Sequence, residues 1–184
     1  LVQLLPQAEF WQRVAFSAGR ILLGFGLGAL SSTVLAVAAE KWEWVDALLA
    51  PVMQLVKATP VASFIILALV WVSGSSLSVL ISFLMVLPVL YGAVRTGIGS
   101  ADRRLLEMAQ VFRIPLSRRL RGVDLPQVLP YFRAAADTAL GLSWKAGTAA
   151  EVIGLCSGTI GERLYTAKVY FQTCLLYTSP SPRD

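Results

Sequence analysis

The sequence predicts an all-α, polytopic membrane helix bundle, and three observations carry that prediction. Of 184 residues, 56% are hydrophobic and only 15% are charged, where soluble domains carry roughly a quarter charged residues. Ala58 to Val94 then runs for 37 residues without a charge. Directly after it, Arg95 to Arg121 holds seven of the sixteen Lys and Arg residues and only two acids, Asp102 and Glu107. Short loops rich in Lys and Arg stay on the cytoplasmic side, because translocating them is unfavourable.

The same composition narrows the function classes. A net charge of +5 that comes largely from one loop reads as membrane topology, and it argues against nucleic-acid binding, which places basic residues on a folded polar domain. No His is present to serve as metal ligand or general base. Cys156 and Cys174 have neither pairing logic nor metal spacing. No cofactor is implied.

Along the chain, residues 1–17 are mixed in character, with Trp11 and Phe16 suited to a membrane interface. Ile21 to Ala39 gives 19 uncharged residues, about 28 Å of helix against a hydrocarbon core of roughly 30 Å. Gly24 and Gly28 stand within it at a spacing that lets helices approach closely. Glu40 to Asp46 is a polar break with Trp42 and Trp44 at belt positions. Ala47 to Lys57 is interrupted by Pro51, Gln54 and Lys57 and reads as partly interfacial. Pro60 introduces a span over Val61 to Val72, Gly74-Ser75-Ser76 reads as a turn, and Leu77 to Val94 spans again with a kink expected at Pro88. Counting back from the arginine loop puts Gly74 to Ser76 outside, Glu40 to Lys57 inside and the N-terminal residues outside.

The loop itself has structure. Asp102 is placed to cap a helix, Pro115 disfavours helix at Ile114, and between them Leu105, Met108, Ala109 and Phe112 recur at helical spacing as one apolar stripe. Arg103, Arg104, Glu107 and Gln110 take the other face. Beyond it, Leu125-Pro126 and Leu129-Pro130 predict a paired proline break. Ala134 to Ile153 is long enough to span but contains Asp137, Lys145 and Glu151. Such groups are expensive at membrane depth and usually face a bundle interior or a watery cavity. Asp137 suits the cytoplasmic interface, Lys145 can snorkel, and Glu151 is the deepest. Gly141, Gly147, Gly154, Gly158 and Gly161 point to tight packing or local bends. Residues 174–184 abandon membrane composition, resemble translated adapter sequence, and are set aside from fold reasoning.

At the loop, the residues resemble a known family. Permease subunits of bacterial ABC importers share Glu-Ala-Ala, three residues, Gly, nine residues, then Ile, one residue, Leu-Pro. Here Glu107-Met108-Ala109 is followed at that spacing by Arg113 and then by Val123-Asp124-Leu125-Pro126. Met108 and Arg113 depart from the pattern, and Arg at the glycine position makes a left-handed turn there less favourable. The segments from Arg20 to Gly28, from Pro51 to Pro60 with Trp71, and from Trp144 to Gly154 also resemble permeases of the nitrate/sulfonate/taurine type. The resemblance covers roughly residues 13 to 172.

It implies a type I importer transmembrane domain over residues 18–172, with a coupling loop over residues 95–130. The chain would lack the family's first and last helices. It implies a lipid-embedded permease homodimer in the bacterial inner membrane, two cytoplasmic ATPases that perform the hydrolysis, and an external solute-binding protein. Leu105, Glu107, Met108, Ala109, Phe112, Arg113, Val123, Leu125 and Pro126 would carry ATPase coupling, through a helix spanning Asp102 to Ile114. Trp144, Lys145 and Glu151 are candidates for the translocation path. A polytopic enzyme at the cytoplasmic interface and a non-transporting assembly subunit remain alternatives, and the sequence does not name a substrate.

Overall fold

A computed structural model describes residues 8–72 and 74–169. Within them every regular element is helical: α1 (Ala8–Lys41), α2 (Glu43–Ala58), α3 (Val61–Trp71), α4 (Gly74–Gly99), α5 (Arg103–Val111), α6 (Leu116–Arg119), a π-helical turn (Leu120–Asp124), α7 (Leu125–Ile153) and α8 (Ile160–Val169). The all-α class is as the sequence predicts. Residues 1–7, most of the 1–17 segment's lead-in, and the 174–184 tail lie outside the described residues.

The boundaries differ from expectation in four places. The first apolar helix is longer than Ile21 to Ala39, because nothing between Ala8 and Arg20 breaks it. The Val61 to Val72 segment is an 11-residue helix, about 16 Å long and too short to cross alone. Pro60 disfavours helix at Thr59, so α2 and α3 are separate helices bent sharply at that break; together they form one broken span or a re-entrant loop. Gly74 to Ser76 is no turn but the opening of α4.

The fourth difference is the paired proline break, which does not occur. Helix runs on through Pro126 and Pro130. The turn before it is π-helical, with the Leu125 N–H donated to the Leu120 carbonyl five residues back. That wider turn contains Gly122, whose carbonyl a prolyl ring at position 126 would meet in a regular α-helix. By length and composition, Phe10–Lys41 and Ser76–Gly99 are each able to cross a membrane, and the α2–α3 pair would make a third span. The 29-residue α7 is long enough but carries Arg133, Asp137, Lys145 and Glu151.

The chain divides into two compact units. One takes in the described residues of 8–26, 59–83 and 142–169, the other residues 27–58 and 84–141. The first is packed through small residues. A Cβ at Gly24 would stand 2.5 Å from the Val79 carbonyl oxygen, and one at Gly147 would stand 2.6 Å from Ile21 Cγ1. Here α1 and α4 approach backbone to backbone, and Gly147 lets α7 seat the side chains of Ile21 and Ser82, as small residues permit in lipid. Gly154 is close against the Leu77 side chain, whereas Gly141, in the second unit, has open space around it. Ile21, Ile65, Leu77 and Ile81 fill the interior, and Ser82 Oγ donates to the Ser143 carbonyl at 3.2 Å.

The second unit centres on Ala36, Ala39, Met53, Tyr91 and Val94, with Leu49, Leu87, Val128 and Phe132 packed around them. At its edge the Arg95 guanidinium pairs with both Glu40 and Asp46, and the Tyr91 hydroxyl donates to Asp46 at 3.0 Å. This clamp holds the acidic Glu40–Asp46 segment at the same end as the start of the arginine loop, as the crossing count requires.

Candidate functional site

The loop is built residue by residue from the end of α4. Ser100 and Ala101 donate their N–H groups back to Thr96 and Ile98, at 2.9 and 3.2 Å, which closes that helix. Asp102 then caps α5: its Oδ1 accepts the Arg104 N–H at 2.9 Å, satisfying a donor with no partner inside the helix. The Asp102 N–H is donated in turn to Gln127 Oε1 at 2.7 Å. Gln127 Nε2 donates to the Val123 carbonyl at 3.0 Å, inside the π-helical turn. Nearby, a Cβ at Gly97 would stand 3.2 Å from Val128 Cα, so α4 and α7 are in close contact one residue from Gln127.

The other end of α5 corrects the expectation for Arg113. It adopts φ 47°, the left-handed conformation that Arg makes less favourable. The Phe112 N–H is donated to Met108 and the Ile114 N–H to Ala109, both at 3.0 Å. The bond from Ile114 back to Ala109 is the six-residue closure of a Schellman cap. The left-handed turn thus forms without glycine, held by these closing hydrogen bonds ahead of Pro115. The helix ends at Val111 and not at Ile114.

On α5 the apolar residues divide between two surroundings. Ala109 is 2% exposed, buried by the chain itself, while Leu105 (39%), Met108 (43%) and Phe112 (72%) are open to solvent with Val111. Glu107 is exposed beside them. Of the motif's second half, Val123 is half-buried in the π-helical turn, and Leu125 and Pro126 are exposed at the start of α7. Arg119 Nε lies 3.5 Å from Asp124 Oδ2, an ion pair across the same turn.

The path candidates on α7 do not share one environment. Trp144 and Lys145 are exposed, whereas Glu151 is fully buried in the first unit. Ser17 Oγ donates to Glu151 Oε2 at 2.8 Å and accepts the Ile160 N–H at 3.1 Å. Ser78 Oγ and the Gly161 N–H also lie beside this buried carboxylate. The start of α8 closes over this carboxylate: a Cβ at Gly161 would collide with the Glu151 side chain and backbone. Thr159 Oγ1 accepts the Glu162 N–H at 3.2 Å, and Glu162 Oε2 accepts from Gly158 N–H at 2.7 Å and from Arg13 at 3.0 Å.

Sequence reasoning missed Gln127, Ser17 and α8. Thr159-x-x-Glu162 carries the capping-box spacing and could have announced that helix. Nothing in the sequence marks Gln127 or Ser17, whose partners lie 25 and 134 residues away.

Comparison with known proteins adds a family. The profile of the binding-protein-dependent transport system inner membrane component matches residues 21–178. SsuC of Escherichia coli (strain K12), whose name assigns it to aliphatic sulfonates transport, is 30% identical over 92% of this chain and 65% of its own length. The bicarbonate transport system permease protein CmpB of Synechococcus elongatus is 28% identical, over 91% and 60%. The taurine transport system permease protein TauC of Escherichia coli (strain K12) is 25% identical, over 90% and 60%. The chain thus spans less than two thirds of the length of these relatives. Among solved structures, a crystal structure of an amino acid ABC transporter shares the fold at a TM-score of 0.70 and 15% identity, covering 92% of this chain and 82% of the other.

Proposed function

Because the chain belongs to the family of binding-protein-dependent transport system inner membrane components, we propose that it serves as the membrane-spanning permease of an ATP-driven importer. Its solute would be small, of the nitrate, sulfonate or taurine type or a related compound. The whole assembly would comprise a permease homodimer in lipid, cytoplasmic ATPases that hydrolyse ATP, and an external solute-binding protein. This chain supplies the path and the coupling surface, and it performs no chemistry of its own.

The observation that carries the coupling role is the state of α5. It is capped at both ends, by Asp102 and by the Arg113 turn, yet Leu105, Met108 and Val111 stand exposed on it and Phe112 on its capping turn. An amphipathic helix capped at both ends, on an arginine-rich loop, is what a docking element requires, since a preorganised surface loses little freedom on binding. Glu107 and Arg104 would form the polar rim, and Ala109 would anchor the helix to its own chain. ATP-driven motion of the ATPases would then bias the spans between two states. Pulling down the ATPase with the membrane-assembled permease tests this. Phe112→Ala should weaken docking by about 2 kcal/mol, as truncation of a central aromatic anchor does, while Arg118→Ala, beyond α5, should leave it unchanged. Wild-type assembly and ATP hydrolysis in both variants would reduce the loop to a topological anchor.

A further inference from the structure

Besides the buried Ala109, a glutamine outside the sequence motif ties the N-terminal end of α5 to the start of α7. Gln127 uses both ends of its amide. The oxygen accepts the Asp102 N–H at 2.7 Å, and the nitrogen donates to the Val123 carbonyl at 3.0 Å. This orientation is fixed by chemistry: a reversed amide would put donor against donor at Asp102 and acceptor against acceptor at Val123. The residue it holds is itself the cap of α5 through Arg104. The residue it pulls on belongs to the π-helical turn at the root of α7, an i→i−5 irregularity of the sort that marks functional bends. One side chain therefore joins the first turn of the exposed helix to the turn from which α7 departs.

We propose that Gln127 is a positioning residue for coupling, the link through which a displacement of α5 reaches the π-helical turn and α7. It touches neither nucleotide nor solute. It acts by making Asp102, the α5 cap and the base of α7 move as one piece. At the far end of α5 the Arg113 turn is closed within the loop itself, by the Phe112 and Ile114 N–H groups on Met108 and Ala109, so the N-terminal end is where the force would pass. The inference rests on the importer reading above.

The test uses the complete complex in nanodiscs, read by ATPase copurification and by the rate of ATP hydrolysis relative to the ATPase alone. Gln127→Leu keeps volume and helix preference but removes both hydrogen bonds. Copurification should stay within about twofold of wild type, because the docking face is untouched, while stimulation of hydrolysis falls about tenfold, the scale of one or two net hydrogen bonds. Gln127→Glu retains an acceptor for the Asp102 N–H and should recover part of the stimulation. Unchanged stimulation in Gln127→Leu overturns the inference. So does a parallel loss of copurification and stimulation, or failure of Gln127→Glu to recover any, since either marks a merely structural role. Absence of stimulation in the wild-type complex overturns the importer reading and this inference with it, whereas stimulation that survives Gln127→Leu overturns the inference alone.

Discussion

Ser17 on α1 donates a hydrogen bond to the buried carboxylate of Glu151, near the end of α7, at 2.8 Å, and the same hydroxyl accepts the first free N–H of α8. One side chain thus joins three helices of the first unit. The arrangement lowers the cost of a fully buried carboxylate: Ser17 pairs one oxygen, Arg20, Ser78 and the Gly161 N–H lie near, and the start of α8 packs over the side chain.

Removing the hydroxyl should therefore hurt more than its size suggests. Ser17→Ala leaves a carboxylate oxygen and the Ile160 N–H without that partner, which should cost about 2 kcal/mol, the scale of an unsatisfied buried polar group. Thermal unfolding of the purified protein in detergent reads it. In a Glu151→Gln background the same substitution should cost less, because the acceptor is no longer charged. Equal costs in the two backgrounds would mean that the pair is not coupled.

The glycines of α1 make a matched pair for a second test. At Gly24 an added Cβ meets the Val79 backbone carbonyl at 2.5 Å, and backbone cannot swing aside. Gly26, two residues on, has nothing within 4 Å. Gly24→Ala should destabilise by about 1–3 kcal/mol, as overpacking does, and Gly26→Ala should be neutral or slightly stabilising, since alanine favours helix. Equal melting temperatures for the two variants would contradict the close α1–α4 contact.

Arg113 offers the reverse case, a residue that glycine should improve. Its φ of 47° lies in the left-handed region, which costs an L residue roughly 1–2 kcal/mol, though glycine returns part of this as unfolded-chain entropy. Arg113→Gly should stabilise the α5 cap by about 1 kcal/mol, seen as roughly fivefold slower hydrogen exchange at the Phe112 and Ile114 amides. Arg113→Val should speed exchange, because a β-branched side chain is worse at that φ. No change in either variant would mean that the turn opens independently of residue 113.

The contrast between Gly24 and Arg113 shows what a sequence discloses. Uncharged runs announce α1 and α4, because lipid admits few alternatives to helix there. Gly24 was legible as a close-approach position for the same reason. Arg113 was misread because its conformation is set by hydrogen bonds four to five residues back and by Pro115, not by its own preference. The proline pairs at Leu125–Pro126 and Leu129–Pro130 were misread because a π-helical turn, invisible in composition, makes room for Pro126. On the site, the periodicity groups Leu105, Met108 and Phe112 with Ala109, but it does not disclose that Ala109 is buried and Val111 exposed. Nor does it disclose Gln127, whose role exists only once Asp102 is folded back beside it.

The last prediction concerns which ends of the helices share a compartment. The arginine loop sets the orientation through its charge, and the Arg95 clamp on Glu40 and Asp46 carries the α1–α2 junction to the same end. Trp44 and Arg118 are both exposed and should face the cytoplasm, and Ser76, exposed at the start of α4, should face outward. Ser76→Cys, Trp44→Cys and Arg118→Cys, each in a background lacking Cys156 and Cys174, can be treated in intact cells with an impermeant thiol reagent. Ser76→Cys should label at once, and the other two only after permeabilisation. Labelling of Arg118→Cys in intact cells would invert the topology and remove the docking surface from the ATPase. Labelling of both Trp44→Cys and Ser76→Cys, with Arg118→Cys protected, would show that the α2–α3 pair does not cross and would contradict the Arg95 clamp, which cannot span two sides.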